Sequence, residues 1–91
     1  MRFEWDEAKD RANQTKHGVS FEEAQEAFAD PQHLIYPDVR HSQTEKRYFC
    51  LGMARGRILT IRFTIRGESI RIFGAGHWRK GVDEYEKRNQ A

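Results

Sequence analysis

Four arginines, Arg47, Arg62, Arg66 and Arg71, belong to a strongly basic stretch: residues 46–80 carry nine Lys/Arg and one acid, Glu68. A guanidinium keeps its charge at any relevant pH and grips phosphate in two-point geometry. Tyr48, Phe73 and Trp78 are interleaved with these cations and offer faces on which bases stack. Arginines gathered on one rigid surface beside aromatic rings describe an RNA or single-strand binding surface. Two plainer readings stand beside it. Charges on exposed strand faces keep a sheet edge from aggregating, and a positive potential attracts an acidic protein as readily as a nucleic acid.

Glu45 adjoins that surface and is the only carboxylate between Val39 and Gly67. It is either a general base, weakened in that role by the neighbouring cations, or an ion-pair partner that holds an arginine in place. His17, at the end of a helix, suits phosphate binding or proton donation, because the dipole there favours a cation. As a C-cap it would instead bond free carbonyls. His77 flanks Gly74-Ala75-Gly76 and is near enough to approach a ligand, although a lone histidine is more often a bystander. Cys50 alternates with Phe49 and Leu51, as a packed and inert thiol would. One cysteine cannot form an internal disulfide, which fits a reducing cytosol. The histidines at 17, 33, 41 and 77 lack zinc-ligand spacing, so neither a metal nor a cofactor is expected. Phosphate loops, nucleophile elbows and repeats are absent from the sequence.

The elements that must position these residues follow from periodicity. Asp6 is placed to cap a helix from Glu7 to Lys16, with Gly18 just beyond its end. Trp5, Ala8 and Ala12 form the stripe expected to be buried, and Lys9, Asn13, Lys16 and His17 a polar stripe beside it. A second helix begins at Ser20, where Glu23 completes a capping box. Phe21, Ala24, Ala27 and Phe28 are its apolar face, and Asp30-Pro31 stops it. His33-Leu34-Ile35-Tyr36 reads as a short strand, followed by a polar loop to Thr44. Lys46–Met53, Arg57–Ile65 and Glu68–Phe73 read as strands joined by tight turns at Arg55-Gly56 and Arg66-Gly67, hence as antiparallel hairpins. Leu59, Ile61, Phe63 and Ile65 share an oily face that the two N-terminal helices are expected to cover. Gly74-Ala75-Gly76 is expected to break the last strand ahead of a short, exposed helix from Trp78 to Asn89. The fold class is α+β: two N-terminal helices packed on a small antiparallel sheet of three to four strands, with a short C-terminal helix.

Ninety-one residues make one domain, 1–91, burying about 60% of the surface the unfolded chain exposes. The net charge of +2 sums two unlike parts. Residues 1–39 carry four Lys/Arg against nine Asp/Glu, and residues 40–91 twelve against five. An acidic front is joined to a basic back. The longest apolar run is far too short to span a membrane, and the N-terminus lacks the apolar core of a secretion signal. A cytoplasmic protein with no membrane partner is expected.

One long spacing pattern is specific. Phe3-x-Trp5-Asp6-x-x-Lys9-x-x-x-Asn13-x-x-Lys16-His17-Gly18-Val19-x-Phe21-x-x-Ala24, then Phe28-x-Asp30, resembles the opening of the BrnT-type toxins of bacterial toxin–antitoxin pairs. Glu45-x-Arg47, Gly52, Thr64-x-Arg66 and Ile70-Arg71-Ile72 also match, so the resemblance covers roughly residues 3–86. It implies a RelE-like toxin fold and a ribonuclease that arrests translation and growth. It further implies a cognate antitoxin whose ribbon-helix-helix part binds operator DNA, so that the toxin meets DNA only through that partner. Carried over residue by residue, Glu45, Arg47, Arg66 and Arg71 are catalytic candidates, joined by His17 and Lys16 from the helix motif. Lys16 is placed among the RNA contacts, with Arg62, His77, Trp78 and Arg79 of the basic surface.

The chain departs from the family pattern at one place. Many relatives read Ile-Ser-Ala-Arg after the last strand, where this sequence has Phe73-Gly74-Ala75-Gly76, and the segment to Tyr85 is one residue shorter. The missing hydroxyl and guanidinium leave His77 or Arg79 to substitute, or leave the activity reduced. The expected reaction is metal-free: the RNA 2′-hydroxyl attacks its neighbouring phosphate, arginines stabilise the charge on the phosphoryl oxygens, and Glu45 or His17 assists the proton transfers. The alternative is a non-catalytic RNA- or protein-binding module acting within a regulatory complex, and Gly74-Ala75-Gly76 is its best support.

Overall fold

Local signals set the helices. In the computed structural model of the chain, which describes residues 1–90, Asp6 accepts the amide of Ala8 at 2.9 Å and opens helix α1 over Glu7–His17. Gly18 ends it at φ 67°, a left-handed conformation that costs glycine nothing. Ser20 caps α2 (Phe21–Glu26) by accepting the amide of Glu23 at 3.0 Å. The Glu23 carboxylate does not reach back to Ser20, because Arg57 takes it at 2.9 Å. A 3₁₀ turn at Ala27–Ala29 follows, and a third helix, α3, spans Arg79–Arg88.

Five strands form one sheet: β1 (Arg2–Glu4), β2 (Leu34–Pro37), β3 (Tyr48–Ala54), β4 (Arg57–Arg66) and β5 (Ser69–Gly76), in the order β1-β5-β4-β3-β2. β2 to β5 are antiparallel neighbours, which the tight turns predict for β3, β4 and β5. β1 lies parallel to β5, with Phe3 opposite Ile70. The sheet is thus mixed and five-stranded, which corrects the expected antiparallel sheet of three to four strands. Three residues are too few to show an alternating pattern, so β1 leaves no periodic signal. β5 also runs through Gly74-Ala75-Gly76 rather than breaking there, because these small residues pair with Arg62, Ile61 and Thr60 of β4.

The two faces of the sheet are covered by different segments. Leu59, Ile61 and Phe63 point into the main core with Cys50 and Ile72, and Phe21, Ala24 and Ala27 close it from above. Each large side chain buried there contributes about 1.5–3 kcal/mol. Trp5 anchors the same core, meeting Phe21 edge-on at 6.1 Å. Leu51 and Ile58, which alternate with these residues, face the other way and pack with Tyr85 of α3 in a second, smaller core.

Helix α1 covers neither face. It runs along the β5 edge of the sheet, where the Asn13 amide donates to the Ala75 carbonyl at 2.9 Å and accepts its N–H at 3.2 Å. These bonds extend the ladder beyond Arg71, the last β5 residue that β1 reaches. Asn13, on the polar stripe, is accordingly the buried residue of α1, whereas Ala8 and Ala12 are exposed. An open sheet edge needs hydrogen-bond partners rather than methyl groups.

Candidate functional site

The site begins at a β-bulge. Pairing passes from Phe63–Ile72 directly to Arg62–Gly74, so Phe73 is an extra residue in β5. Bulges re-aim side chains, and here the Phe73 ring lines a cleft of about 340 Å³. Arg47, just ahead of β3, lays its guanidinium 4.3 Å from the ring centroid, and the Lys9 ammonium of α1 stands 5.4 Å from it. Cations over an aromatic face are held by its quadrupole. Arg62 enters from β4, passing over Gly74 so closely that a Cβ there would come within 3.0 Å of its guanidinium. Lys16 and His17, on the same stripe of α1 as Lys9, complete this wall.

The loop after β2 supplies a second titratable pair. Asp38 is only 5% exposed, and its amide donates to the Arg47 carbonyl at 2.7 Å. Its carboxylate meets Nδ1 of His41 at 2.9 Å. A carboxylate oxygen accepts, so Nδ1 is the donor in this contact. The Ser42 hydroxyl fixes the loop by donating to the Asp38 carbonyl at 2.6 Å and accepting the Arg47 N–H at 2.9 Å. Both Asp38 and His41 line the cleft.

The structure therefore brings together Arg47, Arg62, Lys16 and His17, and adds Lys9, Asp38 and His41. Glu45 stands outside the cleft between two cations, 3.3 Å from Arg66 and 3.7 Å from Arg47. Arg71 lies 3.9 Å from Glu4 and opposite Thr64 on β4, two residues from Arg66. His77 donates Nδ1 to the Ile58 carbonyl at 2.8 Å, and Arg79 is exposed at the start of α3. Trp78 meets His17 edge-on with centroids 5.1 Å apart. Tyr48 is not available to a base, because it stacks on Phe63 at 5.5 Å and packs against the core. Cys50 is fully buried and its thiol is pushed up to about 12, by burial first and the Asp30 carboxylate second, so it stays a thiol. Among the described residues, no group of three or more His, Cys, Asp or Glu could hold a metal ion.

Sequence reasoning left Asp38 and His41 unused, although their three-residue spacing in a polar loop is the signal of a local carboxylate–imidazole contact. Lys9 and Asn13 stood in the polar stripe without a stated role.

Against this geometry, a family model described as the ribonuclease toxin BrnT of type II toxin–antitoxin systems matches residues 5–81. The chain belongs to the BrnT family. No curated protein matches it. As a BrnT-family chain it is a ribonuclease toxin of a type II system, with RNA as substrate and an antitoxin as partner. The matched region holds every cleft residue from Lys9 to Phe73 and ends in the first turn of α3. No helix among the described residues is long and apolar enough to cross a membrane.

Proposed function

We propose that this BrnT-family chain cleaves RNA in the basic cleft by attack of a 2′-hydroxyl on the adjacent phosphate, with no metal ion taking part. The observation that carries the reading is the convergence of Lys9, Lys16, Arg47 and Arg62 with two histidines, one of them held by a buried carboxylate. Arg47 and Arg62 grip the phosphoryl oxygens, where charge builds in the transition state. His41 takes the 2′-hydroxyl proton on Nε2. His17, at the carboxyl end of α1 where a cation is at home, gives a proton to the departing 5′-oxygen. The products are a 2′,3′-cyclic phosphate and a 5′-hydroxyl.

Glu45 acts in this scheme as a positioning residue that steadies Arg47 and Arg66. Arg66, Arg71 and Arg79 meet phosphates further along the strand, Trp78 borders the cleft beside His17, and His77 is held away from it on the Ile58 carbonyl. Arg62 lies over Gly74, where the family pattern has a hydroxyl, and keeps one guanidinium beside the segment that departs from that pattern. The whole chain, 1–91, acts as one RelE-like toxin domain in the cytoplasm. An antitoxin whose ribbon-helix-helix part reads operator DNA would restrain it by covering the cleft.

Incubating purified protein with total RNA in EDTA tests the reading. The expected result is shortened RNA with cyclic phosphate ends. RNA that shifts without shortening leaves only a binding module, and loss of cleavage on chelation removes the metal-free mechanism.

A further inference from the structure

Gly74 and Gly76 lie on one face of β5, two residues apart, opposite Arg62 and Thr60 of β4. Neither has a left-handed backbone, so space rather than conformational freedom accounts for both. A Cβ on Gly74 would press on the Arg62 guanidinium, and a Cβ on Gly76 would stand 2.5 Å from ring carbons of Trp78. A guanidinium and an indole are thus seated side by side on a flat strip of backbone.

Trp78 joins two concavities. Its edge contact with His17 puts it at the border of the cleft, and it also lines a groove of about 660 Å³ between α3 and the sheet. Phe49, the cross-strand partner of Arg62, and Tyr36 line the same groove, with Lys80 at its rim. With Gly76 beneath it, the indole remains 40% exposed.

We propose that this groove seats the nucleobase of the nucleotide whose phosphate is held in the cleft, with Trp78 as its stacking platform. The inference rests on the RNA-cleaving reading and adds to it a place for the base. Directly opposed side chains in a sheet have Cβ atoms about 5 Å apart, so the Phe49–Arg62 pair sets an apolar wall beside a phosphate grip on the scale of one nucleotide. Aromatic faces accept the π-face of any base, which gives binding without sequence readout. Continuity with the cationic cleft favours RNA over a protein segment as the occupant.

The test uses the full chain with a short 2′-O-methyl RNA, which cannot be cleaved, and the same strand with its bases removed. Trp78→Ala should weaken binding of the base-bearing strand by ~10-fold or more and leave the abasic strand unchanged. Trp78→Phe should restore most of the affinity, and Gly76→Ala, which unseats the indole, should mimic Trp78→Ala. If Trp78→Ala fails to fold, emission of Trp78 in a Trp5→Phe background reads the same contact, quenched by the base-bearing strand only. Equal losses on both strands, or no quenching, overturn the proposal. So does an RNA affinity that Trp78→Ala leaves intact while binding of the antitoxin is lost. A wild type that cleaves RNA while Trp78→Ala matches it defeats the base seat alone; a wild type that neither binds nor cleaves defeats both readings.

Discussion

The imidazole of His41 and the carboxylate of Asp38 meet at 2.9 Å, with the carboxylate almost wholly out of solvent and the pair facing a cleft ringed by lysine and arginine. The contact fixes which ring nitrogen carries the hydrogen. It also holds a loop histidine in one orientation.

Asp38→Asn replaces an obligate acceptor by a side chain that also donates, and so releases the His41 tautomer. Cleavage should fall ~100-fold, the scale of a lost general acid–base contribution, while RNA affinity by fluorescence anisotropy changes little. His41→Ala should do the same, and the double variant should be no worse than either single one. Losses that add would show that the two residues act separately.

Glu45 lies between Arg66 and Arg47 rather than in the cleft, so Glu45→Gln should retain cleavage within a few-fold. RNA affinity should hold or rise, because both arginines lose a competing anion. A collapse of the single-turnover rate would return Glu45 to the role of base.

Arg47 and Arg62 are assigned to phosphate, which makes their contribution dependent on salt. Removing either should lower the slope of log affinity against log salt by about 0.7, the value for one contact to single-stranded nucleic acid. An unchanged slope for Arg62→Ala would place its guanidinium away from phosphate.

A separate contact ties α3 to the chain after α2: the Tyr85 hydroxyl donates to Asp30 at 2.5 Å. Burial pushes the Asp30 carboxyl up, but hydrogen bonds from Tyr85 and from the amides of Met53 and Gln32 outweigh it and hold the group below its ordinary 3.8. A depressed folded-state value means stability that is complete above the unfolded value of about 3.9 and lost as pH falls through the folded one. Tyr85 is pushed the other way, up to about 12, by burial first and then by the bond to Asp30. Its stabilisation is complete below the unfolded value of about 10 and lost as pH rises through the folded one. Tyr85→Phe should cost about 1.5–3 kcal/mol at neutral pH and flatten the thermal-melting profile at both the acid and the alkaline end.

Gly52 faces the backbone carbonyl of Ala27, where an added Cβ would collide with an atom that cannot turn aside. Gly52→Ala should therefore lower stability by ~1–3 kcal/mol in denaturant titration, with cleavage per folded molecule unchanged.

Much of this architecture is legible from residue order. Asp6, Gly18 and Ser20 mark the helix ends, and alternation in residues 57–65 separates the oily face of β4 from the arginine face. The orientation of α1 is not legible, because an apolar stripe predicts burial only where a helix lies on a sheet face. Here it lies on an edge, and the polar stripe turns inward. That reversal is why Lys16 and His17 share a cleft with Arg47 and Arg62. Arg66 and Arg71 carry the same charge and sit on the same sheet, yet Glu45 and Glu4 stand beside them outside the cleft. No periodicity announces the bulge that presents Phe73, since it depends on register against a strand that precedes it. Asp38 and His41 lie in a loop whose direction is fixed by Ser42 and the backbone of Arg47, bonds that a sequence pattern does not display.

The bonds between Asn13 and Ala75 close a span of 62 residues. During synthesis, Lys9, Lys16 and His17 leave the ribosome long before Phe73 and Ala75 exist to give α1 an edge to lie against. Half of the cleft therefore has no edge to rest on until Ala75 has been made. A nascent chain that has not yet reached Ala75 holds no assembled cleft. The cleft is thus a late product of folding, and no N-terminal fragment that lacks β5 can reproduce it.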